Sequence, residues 1–416
     1  KRRNKRKLKR KSRARRSIIK SNNPDRLFFE IKLDMIPAGY SMSACKPGEQ
    51  VEIVLKEFRS SEDGDLFISR LEGFPMQMLN MIRQKYNLIM WESSISNMIA
   101  IVRKDKSATV YINALAKAKV QVKNPRPIKA GTPISRNDIS DIQEMVFEGV
   151  NVPKDAGVFI IFSAGWRRGL YFDLTPLAPD LPERDYDIGL LIGSYYSYLL
   201  FRDRFKLSDS DWENLFTKQW FPFISLSDKS INDILSHNIN DWNIDDLLPQ
   251  IKNEVLAGLP EKLRFWENIE AFKPHIKFFQ EAYEQYKNGK DISCISVLFT
   301  RIEGVLRSFQ ALVNQPKWAN QKDLAKTVIS GKVNHKHMIY SPLLPLKFNK
   351  YLSEVYFANF NPTKENKPLS RNTVCHGVAN EEVFCLKAST LGFLILSQLA
   401  YYFSGIGVSE EENNKQ

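Results

Sequence analysis

The spacing of apolar residues changes once along this chain. Up to about residue 176 they come in short runs: Leu27–Asp34, Gln50–Leu55, Leu88–Trp91, Met98–Arg103 and Ala108–Ile112. These runs are rich in β-branched and aromatic side chains, and turn signals such as Asp63-Gly64 and Lys104-Asp105-Lys106 separate them, which predicts β-strands. One helical stretch, Pro75–Tyr86, interrupts them. Gly157–Leu174 reads as two further strands around Gly165-Trp-Arg-Arg-Gly169, with Val158–Phe162 apolar throughout. A β-rich domain over 27–176 follows, bounded by a stretch at 175–184 that holds Pro176, Pro179 and Pro182.

Beyond that boundary the period becomes helical. Ile188–Phe201 is long and apolar, and Trp212, Trp220 and Trp242 stand among polar residues, so 185–255 reads as a helical connector. From 258 the stripes are regular. Phe272, Ile276, Phe279, Tyr283 and Tyr286 repeat at alternating steps of four and three, the period of one helix face. Ile295 through Val313 make a second stripe ahead of Pro316. Leu344, Phe348, Leu352 and Val355 make a third beside Pro345, and Val383–Phe403 is apolar on most faces. Four such helices predict an all-α bundle over 258–405, and the fold class is α+β.

Charge adds an appendage to this picture. Residues 1–20 hold thirteen Lys and Arg and no acid, while the rest of the chain has as many basic as acidic residues, so the net charge of +13 belongs to the tail. Such a segment repels itself and buries nothing, which predicts disorder over 1–26, and 406–416 is expected to be a second disordered tail. A basic tail fits a polyanion, RNA before DNA or an acidic membrane, or serves solubility or targeting alone. Four cysteines without a CxxC pair predict reduced, buried thiols in a cytoplasmic protein. Lys387, Ser389, Thr390, Ser397 and Gln398 break the most apolar stretch too often for a membrane span of ~18 residues.

The candidate chemistry lies between the third and fourth helices, in Ser370-Arg-Asn-Thr-Val-Cys-His-Gly377. Arg371 presents a permanently charged fork that matches phosphate oxygens. Histidine is the side chain whose ordinary pKa, near ~6.5, allows proton exchange at neutral pH, which makes His376 the proton carrier. Asn372 is placed to orient either partner or to cap the following turn. Glu303, at the border of the second stripe, can pair with Arg307 one helical turn on, as an ordinary surface salt bridge would.

Arg-Asn-x-x-x-His-Gly ahead of the last helix of a four-helix segment, with Arg301-Ile-Glu-Gly-Val-Leu-Arg307 upstream, resembles the HEPN superfamily over residues 258–405. Many of its members cut RNA in antiviral, toxin–antitoxin and abortive-infection systems. The resemblance implies a metal-independent endoribonuclease with Arg371 and His376 as catalytic residues. It also implies Asn372 and Glu303 beside them, and a homodimer through the C-terminal bundle that brings two motifs together. No cofactor and no metal are expected. The β-rich domain would then sense a trigger or bind a regulatory partner.

Other readings remain. The bundle could be a degenerate HEPN fold that binds RNA or scaffolds without cutting. His376 could cap a helix and Arg371 bind an acid. His335-x-His337 lacks the nearby Cys or acids that a metal site needs. Trp166-Arg167-Arg168 could touch nucleic acid or be a solvated turn. The P-loop, GxSxG, HExxH and protein-kinase motifs are absent from the sequence, which leaves ATP hydrolysis and zinc proteolysis without support.

Overall fold

In the computed structural model the described residues are 28–123, 127–179, 181–314, 319–330, 339–361, 363 and 369–404. The basic tail, the 406–416 tail and the His335-x-His337 pair lie outside them. The α+β expectation holds, with an antiparallel sheet toward the N-terminus and helices toward the C-terminus. The described residues divide into two compact units, one drawn from 28–119 and 144–200 and the other from 120–143 and 201–404.

The first unit is built on a six-stranded sheet. Its strands are β1 (Phe28–Lys32), β4 (Lys56–Ser60), β5 (Met98–Val102), β6 (Ser107–Ile112), β9 (Gly157–Ala164) and β10 (Arg167–Asp173). They run in the order β1-β6-β5-β9-β10-β4, and each neighbouring pair is antiparallel. Two short strands, β2 (Tyr40–Ser41) and β3 (Ile53–Val54), pair beside it. A ribbon of β7 (Ala116–Val122) and β8 (Ile139–Phe147) makes a third sheet, with Val120–Val122 and Ile139–Gln143 belonging to the second unit.

Both faces of the main sheet are covered, which explains its continuous apolar runs. Successive side chains on a strand point to opposite faces. Met98, Ala100, Val102, Phe159, Ile161, Leu170 and Phe172 pack on one side with helices α1 (Asp65–Glu72) and α2 (Phe74–Tyr86). Ile99, Ile101, Val158, Ile160, Phe162 and Tyr171 pack on the other with α3 (Ile188–Leu200).

Three local expectations change. Leu88–Trp91 is not a strand, because the Arg83 side chain takes the Met90 carbonyl at 2.7 and 3.1 Å and the chain turns into a short 3-10 helix. The Asp63-Gly64 signal leads into α1 rather than straight into the next strand. Of the cysteines only Cys294 is buried; Cys45, Cys375 and Cys385 are exposed, and all four are free thiols.

The second unit holds a single apolar core running from Trp212 to Phe403. Residues 185–255 therefore do not form one connector. Ile188–Leu200 lies on the sheet of the first unit. Helices α4 (Arg202–Phe205), α5 (Asp209–Thr217), α6 (Asp228–Ile239) and α7 (Leu248–Trp266) belong to the second. Their apolar faces, with Trp212 and Trp220 among them, join the later helices in the same core.

The longest helix, α9 (Asp291–Asn314), packs against α8 (Ile276–Lys287), α10 (Gln321–Ser330), α12 (Arg371–Cys375) and α13 (Leu386–Phe403). Gly392 on α13 meets Leu298 of α9 where a Cβ would lie 2.8 Å from its side chain, so the glycine permits the close crossing. Phe309 stacks on Phe403 at 3.7 Å along the same seam. Helix α11 (Pro345–Tyr351) runs into one turn of π-helix, Leu352–Tyr356. Among the described residues no helix is long and apolar enough to cross a membrane.

Candidate active site

The motif folds as a short helix with both ends fixed by its own residues. Ser370 caps α12: its hydroxyl accepts from the Thr373 N–H at 3.2 Å, and Thr373 Oγ1 accepts from the Ser370 N–H at 3.1 Å, a reciprocal cap. Both side chains are fully buried. The other end stops at Gly377, whose φ of +66° is the left-handed conformation that glycine adopts without a steric penalty. His376 is the capping residue itself, its backbone N–H donating to the Asn372 carbonyl at 3.1 Å.

Arg371 leans on α9. Its Nε pairs with Glu303 Oε2, while Glu303 Oε1 accepts from Arg307 Nε and Nη2 at 2.8 and 2.6 Å. Glu303 is 5% exposed, so this is not the solvated salt bridge that the i,i+4 spacing alone describes. It is a buried carboxylate between two guanidiniums. Both guanidiniums keep contact with solvent, Arg307 more than Arg371, so losing either costs less than the ~3–5 kcal/mol of a fully buried pair. Beneath them the Tyr356 hydroxyl donates to the Phe299 carbonyl at 2.6 Å. Complete burial holds that phenol well above its ordinary pKa, and the Glu303 charge adds to the effect.

Asn372 does not cap its own turn. Its Nδ2 donates to the carbonyls of Phe357 and Ala358 at 3.0 and 3.4 Å, groups left open where the π-turn ends. Asn372 and Gln321 also exchange two amide hydrogen bonds, at 2.7 and 3.1 Å. Asn372 Oδ1 then accepts from Arg371 Nη1 at 3.2 Å. Two sides of the Arg371 guanidinium are thus held, and its side chain remains 24% exposed. Among the described residues Nη2 has no polar partner.

His376 stands apart. It is exposed, its ring lies 5.7 Å from that of Phe360, and among the described residues its imidazole has no polar partner. The structure therefore brings Arg371, Asn372 and Glu303 together and leaves His376 on the same turn without a side-chain contact to them. The helical period explains the separation, because five residues at ~100° each place the two side chains ~140° apart around the axis.

The other described histidines are engaged elsewhere. His237 Nδ1 bonds to the Asp233 carbonyl at 2.8 Å. His275 is buried against Gly304 with Nε2 3.2 Å from Ser308 Oγ, and burial lowers its pKa. Among the described residues no three His, Cys, Asp or Glu side chains form a metal-binding group.

Sequence reading misses Gln321, Phe357 and Ala358, because contacts across 51 and 15 residues leave no local mark. The Ser370-x-x-Thr373 cap does leave one. Compared with protein-family models, curated proteins and solved structures, the chain matches none.

Proposed function

We propose that the C-terminal helices form a HEPN-like bundle and that this chain is a metal-independent endoribonuclease. Its biological role would be that of an antiviral, abortive-infection or toxin-like effector in the cytoplasm. The observation that carries this reading is the presence, on one short helix, of a braced arginine with an open edge and an exposed histidine that has no acidic partner among the described residues.

In the proposed reaction His376 takes the proton of a ribose 2′-hydroxyl. The 2′-oxygen attacks the adjacent phosphorus, the bond to the 5′-oxygen breaks, and a 2′,3′-cyclic phosphate forms. Arg371 stabilises the charge that develops on the phosphoryl oxygens. The departing 5′-oxygen needs a second proton, which the His376 of a second copy supplies in a homodimer. The basic tail adds phosphate contacts without sequence information, and the sheet unit receives the trigger or regulatory partner.

A specific observation favours the alternative, RNA binding or scaffolding without cleavage: Glu303 and Asn372 already occupy two sides of Arg371. One experiment separates the two. The full chain should cut single-stranded RNA in EDTA and leave cyclic-phosphate ends, and His376→Ala should slow it by more than ~100-fold, the usual contribution of a positioned acid or base. Full activity in that variant, or loss of cutting on chelation, refutes the mechanism. RNA binding with no cutting by the parent chain establishes the alternative.

A further inference from the structure

A group of cations gathers around the start of α6 in the second unit. Asp228, the first residue of that helix, lies between two guanidiniums. Its Oδ1 accepts from Arg204 Nη2 at 2.8 Å, and its Oδ2 lies 3.1 Å from Arg136 Nε. Both guanidiniums pack on the Phe201 ring, Arg204 at 4.7 Å and Arg136 at 5.2 Å from its centroid. Lys123, just after β7, donates to the Leu226 carbonyl two residues before Asp228. Burial first, and then the nearby Arg204 charge, lowers the Lys123 pKa.

The acids of this cluster do not use all of its donors. Arg204 is 1% exposed, and its Nε and Nη1 are buried with no acceptor among the described residues. Burial lowers its pKa to about 10, which leaves it charged at neutral pH. Arg136 Nε and Nη2 are buried as well and make no hydrogen bond. Glu254 is taken up by the Ser227 N–H and by the Ser227 and Ser230 hydroxyls. A buried guanidinium with open N–H groups costs free energy until an acceptor reaches them. The cluster meets solvent on one side, where the Arg136 side chain is 27% and that of Asp203 44% exposed. There Asp203 Oδ2 stands off from Arg136 Nη2 at 3.8 Å.

We propose that this cluster binds a phosphate group with free oxygens, as inorganic phosphate or a terminal phosphomonoester. The anion enters on the Asp203 side, displaces that loose carboxylate and offers acceptors to Arg136 and Arg204. Several oxygens on one tetrahedral centre suit donors on two separate guanidiniums better than the two coplanar oxygens of a carboxylate. A phosphodiester inside a nucleic-acid strand carries a sugar on either side, which keeps it from a buried arginine. The site uses neither Arg371 nor His376, so it stands whether or not those residues cut RNA.

Calorimetric titration of the full chain at low salt tests it with inorganic phosphate, methyl phosphate, dimethyl phosphate and acetate. Inorganic phosphate should bind saturably, and dimethyl phosphate and acetate should not. Methyl phosphate binding as tightly as inorganic phosphate identifies a monoester as the source; inorganic phosphate binding alone identifies the free ion. Arg136→Gln should weaken phosphate binding about tenfold or more, the loss of a charge-assisted hydrogen bond. Asp203→Asn should strengthen it by removing the competing carboxylate, and gives an independent reading if the first variant folds poorly. The basic tail is the same in both variants, so a change in affinity belongs to the cluster. Absence of saturable phosphate binding below about 10 mM, equal binding of acetate or dimethyl phosphate, or an affinity unmoved by both variants would overturn the assignment.

Discussion

Lys123 in the second unit shows how a single side chain ties stability to pH. Its Nζ donates to the Leu226 carbonyl at 3.1 Å. Burial pushes its pKa down to about 7, Arg204 adds repulsion, and Asp228 and Glu254 oppose the shift. In the unfolded chain a lysine titrates near ~10.4. Between these two values the unfolded state holds a proton that the folded state lacks, so stability rises with pH across that window. Below pH 7 the cost of burying the charge is fully present. Lys262, pushed down to about 8 by burial, acts with the same sign. Lys123→Met should therefore raise Tm at pH 6.5, and the parent should close the gap by pH 9.5. Parallel Tm–pH curves for the two proteins would count against this account.

At the scale of elements, the candidate site depends on how α12 begins and ends. The Ser370/Thr373 cap and the α9 stripe are written in local sequence, and so is the glycine after His376. Gly377 has φ +66° with nothing within 4 Å of the point where a Cβ would sit, and Gly289, between α8 and α9, has φ +69° in equally open space. Alanine at either position should cost about 1 kcal/mol from backbone strain alone. Tm should then fall by roughly 2–4 °C. Only Gly377→Ala changes the turn that presents His376, so it should also slow RNA cleavage, while Gly289→Ala should not. Equal cleavage rates in the two variants would detach the helix end from catalysis.

For the whole molecule the open question is assembly, since each chain offers His376 once and the proposed reaction transfers two protons. A homodimer through the helical unit should lose cleavage when parent chains are mixed with an excess of His376→Ala chains, because a mixed dimer keeps only one His376 for two proton transfers. The rate per parent chain should then fall well below that of the parent alone, and sedimentation should report a dimer. A monomer that cleaves RNA at the parent rate would remove the shared site.

Local sequence determined the elements here, because period and punctuation are properties of neighbouring residues. Short runs of β-branched and aromatic residues mark β1, β5, β6, β9 and β10, step-three-or-four stripes mark α8, α9, α11 and α13, and prolines and glycines mark several of their ends. It also singled out Arg371, Asn372, His376 and Glu303. Tertiary structure decided which unit each element joined, since an apolar face such as Ile188–Leu200 does not specify which surface will cover it. It turned Glu303 from a one-helix salt bridge into a buried partner of Arg371, and it joined Asn372 to Gln321 and to the carbonyls left open by the π-turn. These contacts arise only when distant segments meet, and burial, which sets the strength of every charge involved, exists only once they have.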